Sequence, residues 1–433
     1  MLLPILVFLL IYFFIATEII DKTIAALIGA GLMIGLHFVH YEDALHAIDL
    51  NVIFLLVGMM VVVNTLTDTG VFEWLAIKLA RLAKGNGLVI AVLFMVLTAV
   101  LSAFLDNVTT VILMAPITIL LCQLLEMPAV PVLIMEAVFS NIGGAATLIG
   151  DPPNILIGSQ THLSFNDFIL NMTPPVLVIM VLLLGVMALM FRKQMRTTEQ
   201  TRKRIEQSRP EKAILQPLVL RKAVVVFGFI LAGFFAGRLL NIEPGIIALA
   251  GAMVMVLVCK KDIHHSLAHV EWNTILFFAG LFMMIAALEH HHVFEKMGEL
   301  ILQLCGGNLM ATVLTILWFS AIASAIIDNI PLVMAMIPLV KGIIPVFAQQ
   351  MGLEDAALIQ AQIAEPLLWA LALGACLGGN GTLVGASANV VITQIANRNK
   401  CPITFWSFTK YGFPFMIASL FVAHIYLYVR FFM

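Results

Sequence analysis

The chain has 433 residues, of which 62% are hydrophobic and only 11% are charged, and its formal net charge is −2. Soluble domains are usually about one quarter charged, so this composition excludes an ordinary soluble protein and predicts an all-α polytopic membrane protein. The five cysteines form no close pair, which argues against a disulfide framework and a zinc site. The sequence contains no nucleic-acid or phosphate-loop motif, and we expect no nucleic-acid partner, no cofactor and no metal.

Apolar stretches long enough to cross a bilayer, about 20 residues each, follow one another in the first 191 residues. A short amphipathic segment near 72–84 follows the first three of these stretches. The next apolar stretch, 88–124, is interrupted in the middle, which predicts a re-entrant helical hairpin with its tip near residues 105–110. Glycines and prolines break the span that follows the hairpin. The five full spans are predicted near residues 2–20, 23–40, 51–69, 130–162 and 174–191.

Residues 192–220 form the one long polar stretch, and they are rich in lysine and arginine. Beside membrane spans, such a basic stretch predicts a cytoplasmic linker. The second half of the chain repeats the order of the first, with a hairpin predicted near 308–346. Its five full spans are predicted near residues 221–240, 244–260, 272–289, 366–397 and 411–431.

An internal duplication is the strongest signal in the sequence. The segments 102–110 (SAFLDNVTT) and 324–332 (SAIIDNIPL) share one pattern, and each places an Asp-Asn pair in apolar sequence. After an insertion near 351–365 the offset in sequence number between equivalent positions becomes larger. At that larger offset Gly143, Gly144, Thr147, Gly150 and Asn154 correspond to Gly378, Gly379, Thr382, Gly385 and Asn389.

The topology follows from the span count. Five full spans in each half is an odd number, so the two halves are expected to be inverted relative to each other. With the linker in the cytoplasm, 19 of the 23 lysines and arginines fall on the cytoplasmic side, as the positive-inside rule requires. Both termini are then predicted to face outward, and the hairpins are predicted to enter from opposite sides.

Inverted repeats with broken helices are typical of secondary transporters, whose binding sites lie where the breaks meet. The hairpin tips and the two broken spans therefore supply the candidate site, through side chains and through backbone exposed at Gly143, Gly144, Gly150, Gly378, Gly379 and Gly385. None of these elements contains lysine or arginine. The candidate substrate- or ion-binding residues are Asp106, Asn107, Thr109, Thr147, Asp151, Asn154, Asp328, Asn329, Thr382 and Asn389.

Asp106 and Asp328 are the candidates for proton coupling. A carboxylate within a membrane segment predicts function, because burial favours its neutral form and a nearby cation favours its charged form. The alternative interpretation is that both residues cap the second helix of their hairpin, and the two interpretations are compatible. Asp151 corresponds to Ala386 in the second half, so its role is left open.

These motifs resemble the ion transporter superfamily, and more narrowly its branch of arsenical pump membrane proteins, NhaD-type sodium/proton antiporters and the melanosomal P protein. The resemblance rests on the segment 105–110 (LDNVTT) and the glycines, Asp-Pro-Pro-Asn and threonine of the first break. Related dicarboxylate transporters carry Ser-Asn-Thr at the tips, so the Asp-Asn pairs argue against a dicarboxylate or citrate carrier. The resemblance implies an elevator-type homodimer with scaffold segments 1–86 and 221–307 and transport segments 87–191 and 308–433.

The expected function is proton-coupled efflux of arsenite or antimonite across the bacterial inner membrane, since arsenite is an uncharged polyol at neutral pH and suits an oxygen-rich site. One alternative is a sodium/proton antiporter that uses the same aspartates, and another is an anion permease that uses the helix ends. The basic linker also offers a docking surface for a soluble ATPase partner. An intramembrane hydrolase is disfavoured because the sequence contains neither a nucleophile–base set nor a His-Glu-x-x-His motif.

Overall fold

The computed structural model describes residues 2–17, 19–195, 197–199, 202, 205, 208–294, 296–298 and 305–433. In the described part of the first half, ten helices follow one another, and a short polar segment leads into the second half. The ten are α1 (Leu2–Thr17), α2 (Lys22–Gly35), α3 (Tyr41–His46), α4 (Leu50–Thr67), α5 (Val71–Leu82), α6 (Gly87–Phe104), α7 (Asn107–Leu125), α8 (Ala129–Gly144), α9 (Pro152–Thr161) and α10 (Phe165–Phe191).

The described part of the second half repeats this helix order except at the position of α5, where several residues lie outside the described part, and it has one additional short helix ahead of its broken span. A π-helical turn, Gln360–Ala364, joins that additional helix to the next one. The helices are α11 (Pro217–Leu240), α12 (Pro244–Cys259), α13 (Ile263–Ala268), α14 (Trp272–His290), α15 (Leu309–Ile326), α16 (Asn329–Met351), α17 (Ala356–Ile359), α18 (Glu365–Gly378), α19 (Ser387–Arg398) and α20 (Phe405–Phe432).

The chain is an all-α polytopic membrane protein, as the composition predicted. Within the described residues, ten helices are long and apolar enough to cross a membrane, and four shorter helices are apolar as well. The predicted order of spans, hairpins and breaks is confirmed: α6–α7 and α15–α16 are the hairpins, and α8–α9 and α18–α19 are the broken spans. The re-entrant course of the hairpins and the inversion of the halves remain predictions.

Four predicted boundaries were wrong. The fifth span begins at Phe165 rather than near 174, because Ser164 and Asp167 form a capping box and Pro174 and Pro175 lie inside the helix. The last span begins at Phe405 rather than near 411, where Thr404 and Ser407 cap it in the same way. The second hairpin runs on to Met351. The first helix of the second half begins at Pro217, inside the predicted linker.

Part of the linker packs against the first half. The backbone N–H of Leu215 donates to Thr69 O at 2.9 Å, and Thr197 Oγ1 donates to Gly85 O at 2.8 Å. The linker therefore contacts the turns at both ends of α5. Three of its basic positions, Arg196, Lys203 and Arg204, lie outside the described residues.

Helices of the two halves pack crosswise. Among the segments predicted as scaffold, α4 contacts α12 and α2 contacts α14. Among those predicted as transport segments, α7 contacts α19 and α16 contacts α9. The second helix of each hairpin thus packs on the broken span of the other half, which brings both tips and both breaks together.

Glycines allow the broken spans to approach the hairpins closely. A Cβ atom on Gly143 would overlap Ala99 O of α6, and one on Gly378 would overlap Ala321 O of α15. These two glycines occupy equivalent positions in the two repeats. The first glycine of each pair is therefore explained by backbone contact between helices.

We expect Gly143→Ala and Gly378→Ala each to lower the midpoint of thermal unfolding in detergent, because an extra methyl group in a tightly packed position typically costs about 1–3 kcal/mol. The matched control is Gly185→Ala in α10, where no atom outside its own helix lies within 4 Å of the added Cβ. That control should unfold at or above the wild-type midpoint, since alanine favours a helix more than glycine does. Equal midpoints for all three variants would contradict the close helix crossings.

Candidate functional site

Both hairpin tips are capped by their aspartates. The Asp106 carboxylate accepts from the backbone N–H of Thr109 at 3.0 Å and from Thr109 Oγ1 at 3.2 Å, at the start of α7. The Asp328 carboxylate accepts from the backbone N–H of Ile330 at 3.3 Å, at the start of α16. The capping interpretation is thereby confirmed, and proton coupling remains a prediction.

The predicted asparagines and threonines of the breaks bond mainly to backbone carbonyl groups. Asn154 Nδ2 donates to Thr147 O at 2.8 Å, and Asn389 Nδ2 donates to Thr382 O at 3.0 Å. Thr147 Oγ1 donates to Ala103 O, and Thr382 Oγ1 donates to the equivalent carbonyl of the second hairpin. These four side chains shape the breaks and tie them to the hairpins, so their hydrogen-bonding groups are largely used within the protein.

Two equivalent contacts join the breaks of the two halves. Asn141 Nδ2 donates to Asn389 Oδ1 at 3.0 Å, and Cys376 Sγ donates to Asn154 Oδ1 at 3.4 Å. Cys376 is the repeat counterpart of Asn141, just as Asn389 is the counterpart of Asn154. Each half therefore completes the hydrogen bonding of the other half's break.

Asp151 lies where the two tips meet. It is fully buried. Its Oδ1 accepts from Asn107 Nδ2 at 3.1 Å, and its carboxylate also accepts from Asn329 Nδ2 at 3.4 Å. Asn107 donates in addition to Asn141 Oδ1 at 3.2 Å. Asp151, whose role the sequence left open, is thus the hydrogen-bond acceptor that both tip asparagines share.

A cavity of about 510 Å³ reaches this convergence point. It lies between the tips and the helices α2, α4 and α14. Asp106 Oδ1, Asn107 Oδ1 and Thr110 Oγ1 at the first tip are buried without a hydrogen-bond partner in the described chain. Side chains lining the cavity include Lys22, Asp106, Asn107, Asp151, Glu271, Asn273, Thr274, Asn329 and Ser387.

Lys22 is the main site residue that sequence reasoning missed. It begins α2, and its ammonium group contacts Asp328 Oδ2 at 3.2 Å and Ser387 Oγ at 2.9 Å. The sequence signal was weak, since one lysine at the end of a span also satisfies the positive-inside rule. Asn141 and Asn380, whose side chains are joined by a 2.9 Å hydrogen bond, were also missed.

The comparisons with known proteins agree with this architecture. A protein-family model described as "CitMHS: Citrate transporter" matches residues 12–374. The chain belongs to this family. The match also confirms the resemblance to the ion transporter superfamily.

Curated relatives cover nearly the whole chain. An uncharacterized transporter of Mycobacterium bovis is 42% identical over 98% of this chain and 97% of its own length. A 46 kDa membrane protein of Mycobacterium leprae is 40% identical with the same coverage. The human P protein is 33% identical over 97% of this chain, which spans 58% of that longer protein. These names make the chain a membrane transporter and leave its substrate to be proposed.

A solved structure has the same fold. The YdaH transporter of Alcanivorax borkumensis, whose structure is described as having an unusual topology, aligns with a TM-score of 0.61 over 92% of this chain and 89% of its own. The identity is 13%, so the likeness concerns the fold alone.

We expect Asp151→Ala to loosen both tips at once. It leaves the buried amides of Asn107 and Asn329 without their common acceptor, and an unpaired buried donor costs about 1–3 kcal/mol. Hydrogen exchange followed by mass spectrometry should therefore become faster, at least about fivefold, at the starts of both α7 and α16. Asp355→Ala, which removes only the exposed cap of α17, is the control. A change confined to the first break would contradict the shared role of Asp151.

Proposed function

We propose that this transporter exports arsenite or antimonite by secondary active transport coupled to protons. The supporting observation is the convergence of Asn107 and Asn329 on Asp151 beside a cavity lined with hydroxyl, amide and carboxylate groups. Arsenite at neutral pH is a small uncharged polyol, and such a solute can both donate to carboxylates and accept from amides. The site offers both kinds of partner.

Proton coupling is assigned to the tip aspartates, Asp106 and Asp328. Both carboxyl groups are partly buried, and they cap helices that belong to the predicted transport segments. Uptake or loss of a proton changes the charge of the tip that faces the cavity. That change couples the occupancy of the site to the proton gradient.

A second cavity of about 440 Å³ supports alternating access. Asn51 and Leu55 line it, and their repeat counterparts Asn273 and Phe277 line the first cavity. Asp106 and Asp151 line only the first of the two. In the predicted orientation, with both termini outside the bacterial inner membrane, the site opens to the cytoplasm, and an elevator movement of the transport segments carries it to the other cavity.

The second candidate function is sodium/proton antiport at the same site. Three oxygen atoms of the first tip, on Asp106, Asn107 and Thr110, are buried without a donor among the described residues. Hard cations such as sodium bind oxygen ligands of this kind. A small cation is therefore the alternative occupant that the structure favours.

An anion such as citrate, which the family description names, fits the cavity less well. Asp106, Asp151 and Glu271 line the cavity with Lys22. The ammonium group of Lys22 already contacts Asp328. A multiply charged anion would meet more carboxylates than cations there.

Transport in inside-out vesicles with an imposed proton gradient separates the candidates. We expect arsenite to accumulate without a sodium requirement, and Asp106→Asn to reduce accumulation to the level of vesicles without the protein. Asp355→Asn, at an exposed helix start, is the control and should transport normally. Sodium-driven proton movement without arsenite flux would reject arsenite and assign the second candidate function.

An elevator mechanism needs a scaffold that stays fixed while the transport segments move, and we propose that two copies of the chain supply it as a homodimer. The purified protein should run as a dimer in mild detergent by native mass spectrometry, with bound lipid. A soluble ATPase bound to the linker 192–220 would appear in the same measurement on complexes purified from cells. A protein that stays monomeric in membranes as well as in detergent would contradict the dimeric scaffold.

A further inference from the structure

The two tip aspartates have different surroundings. Asp328 Oδ2 accepts from Lys22 Nζ at 3.2 Å and from Ser387 Oγ at 2.8 Å, and Lys22 also donates to Ser387 at 2.9 Å. The three groups form a closed triangle. Among the described residues, no cationic side chain forms an ion pair with Asp106, and its Oδ1 is buried there without a hydrogen-bond partner.

The repeat explains how this difference arises. When the two halves are aligned, Lys22 corresponds to Pro244, and Ser387 corresponds to Pro152. Neither proline can donate a hydrogen bond to the first tip. Conversely, Thr109, which holds Asp106, corresponds to Pro331 at the second tip. The Asp106 carboxylate is therefore bound from within its own hairpin, whereas the Asp328 carboxylate is bound in addition by donors from α2 and α19.

We propose that Lys22 is a built-in cation for the second tip, so that only the first tip exchanges the coupling ion in the state described here. This inference rests on the proposed function and divides its two aspartates between different roles. Asp328 stays paired with the Lys22 ammonium group throughout the transport state described here, and Asp106 takes up and releases the external proton or cation. Lys22 thereby acts as a positioning and specificity-determining residue.

Burial and charge support this division. The side chains of Lys22 and Asp328 keep only 31% and 16% of their exposure, so water screens the pair weakly. An external cation at the second tip would have to displace or approach a fixed ammonium group, which is electrostatically unfavourable. At the first tip, the orphaned oxygens of Asp106, Asn107 and Thr110 meet no such competitor among the described residues.

The pair also links the two predicted parts of the molecule. Lys22 belongs to α2 in the predicted scaffold, whereas Asp328 and Ser387 belong to the predicted transport segments. Any movement of the transport segments past α2 must break this contact. The ion pair therefore favours the state described here, in which the site opens to the larger cavity.

The coupling ratio tests the proposal. Purified protein in liposomes is supplied with arsenite or with sodium, and the protons moved per substrate are measured with a pH-sensitive dye. Lys22→Gln frees a second carboxylate, so the ratio should rise, by up to about twofold, as the number of exchanging sites increases. Lys22→Arg, which keeps the charge, should retain the wild-type ratio.

The matched control is Lys261→Gln. Lys261 contacts Asp68 Oδ2 at 2.8 Å, and this pair is also only partly exposed but lies away from the cavity. A purely structural role for Lys22 predicts that both glutamine variants lower stability and leave the coupling ratio unchanged. That outcome would overturn the proposal.

Second-site rescue gives an independent test. Asp328→Asn leaves the Lys22 ammonium group without its carboxylate partner beside the site, where it is only partly exposed to water, so flux should fall. Adding Lys22→Gln should restore much of the lost flux. The same addition should fail to rescue Asp106→Asn, and rescue of both aspartate variants alike would contradict the unequal roles.

Chemical labelling of Lys22 distinguishes a failure of this inference from a failure of the proposed function. If the wild type moves neither arsenite nor sodium, the proposed function fails. The role of Lys22 is then decided by its reaction with an amine reagent, which mass spectrometry locates. Labelling should be slow in the wild type and several times faster in Asp328→Asn, with no change in Asp106→Asn. Equal labelling in all three proteins would reject the resident ion pair.

Discussion

The carboxylate of Asp151 is buried between the amide groups of two asparagines that belong to different repeats of the sequence. A polar group in such a setting must find hydrogen-bond partners, because an unpaired one is costly away from water. Asn107 and Asn329 provide those partners only when both hairpin tips reach the same place. The crosswise packing of α7 on α19 and of α16 on α9 brings them there. The position of the cavity follows from this meeting of tips.

Near-symmetry of the backbone and asymmetry of the side chains have different consequences. Equivalent glycines, threonines and asparagines build two equivalent breaks. The tip aspartates repeat, but two other charged groups of the site do not: Asp151 corresponds to Ala386, and Lys22 corresponds to Pro244. The duplicated backbone therefore carries one site whose two halves differ in their charged groups. In the proposed mechanism, the backbone allows movement between two equivalent positions, while the side chains give the site its chemical preference.

Much of the fold was predictable, because an internal repeat, hydropathy and helix-breaking residues are local signals in the sequence. They indicated the tips, the breaks and the capping aspartates. The starts of α10 and α20 were placed too late because the predicted spans followed the apolar stretches, whereas the capping boxes at Ser164 and Thr404 lie ahead of those stretches. Lys22, Asn141 and the centre formed by Asp151 depend on contacts between distant segments. No periodicity or spacing reports such contacts, so only the folded chain showed them.

The hydrogen bonds that join the breaks of the two halves have a consequence for biosynthesis. When the first half has entered the bilayer, the acceptor Oδ1 of Asn389, which Asn141 contacts in the finished molecule, has not yet been translated. The same holds for the thiol of Cys376, which donates to Asn154. Polar groups in lipid must remain hydrated or find temporary partners until then. The N-terminal half is therefore an incomplete folding unit during synthesis, and its maturation depends on the late arrival of α18 and α19.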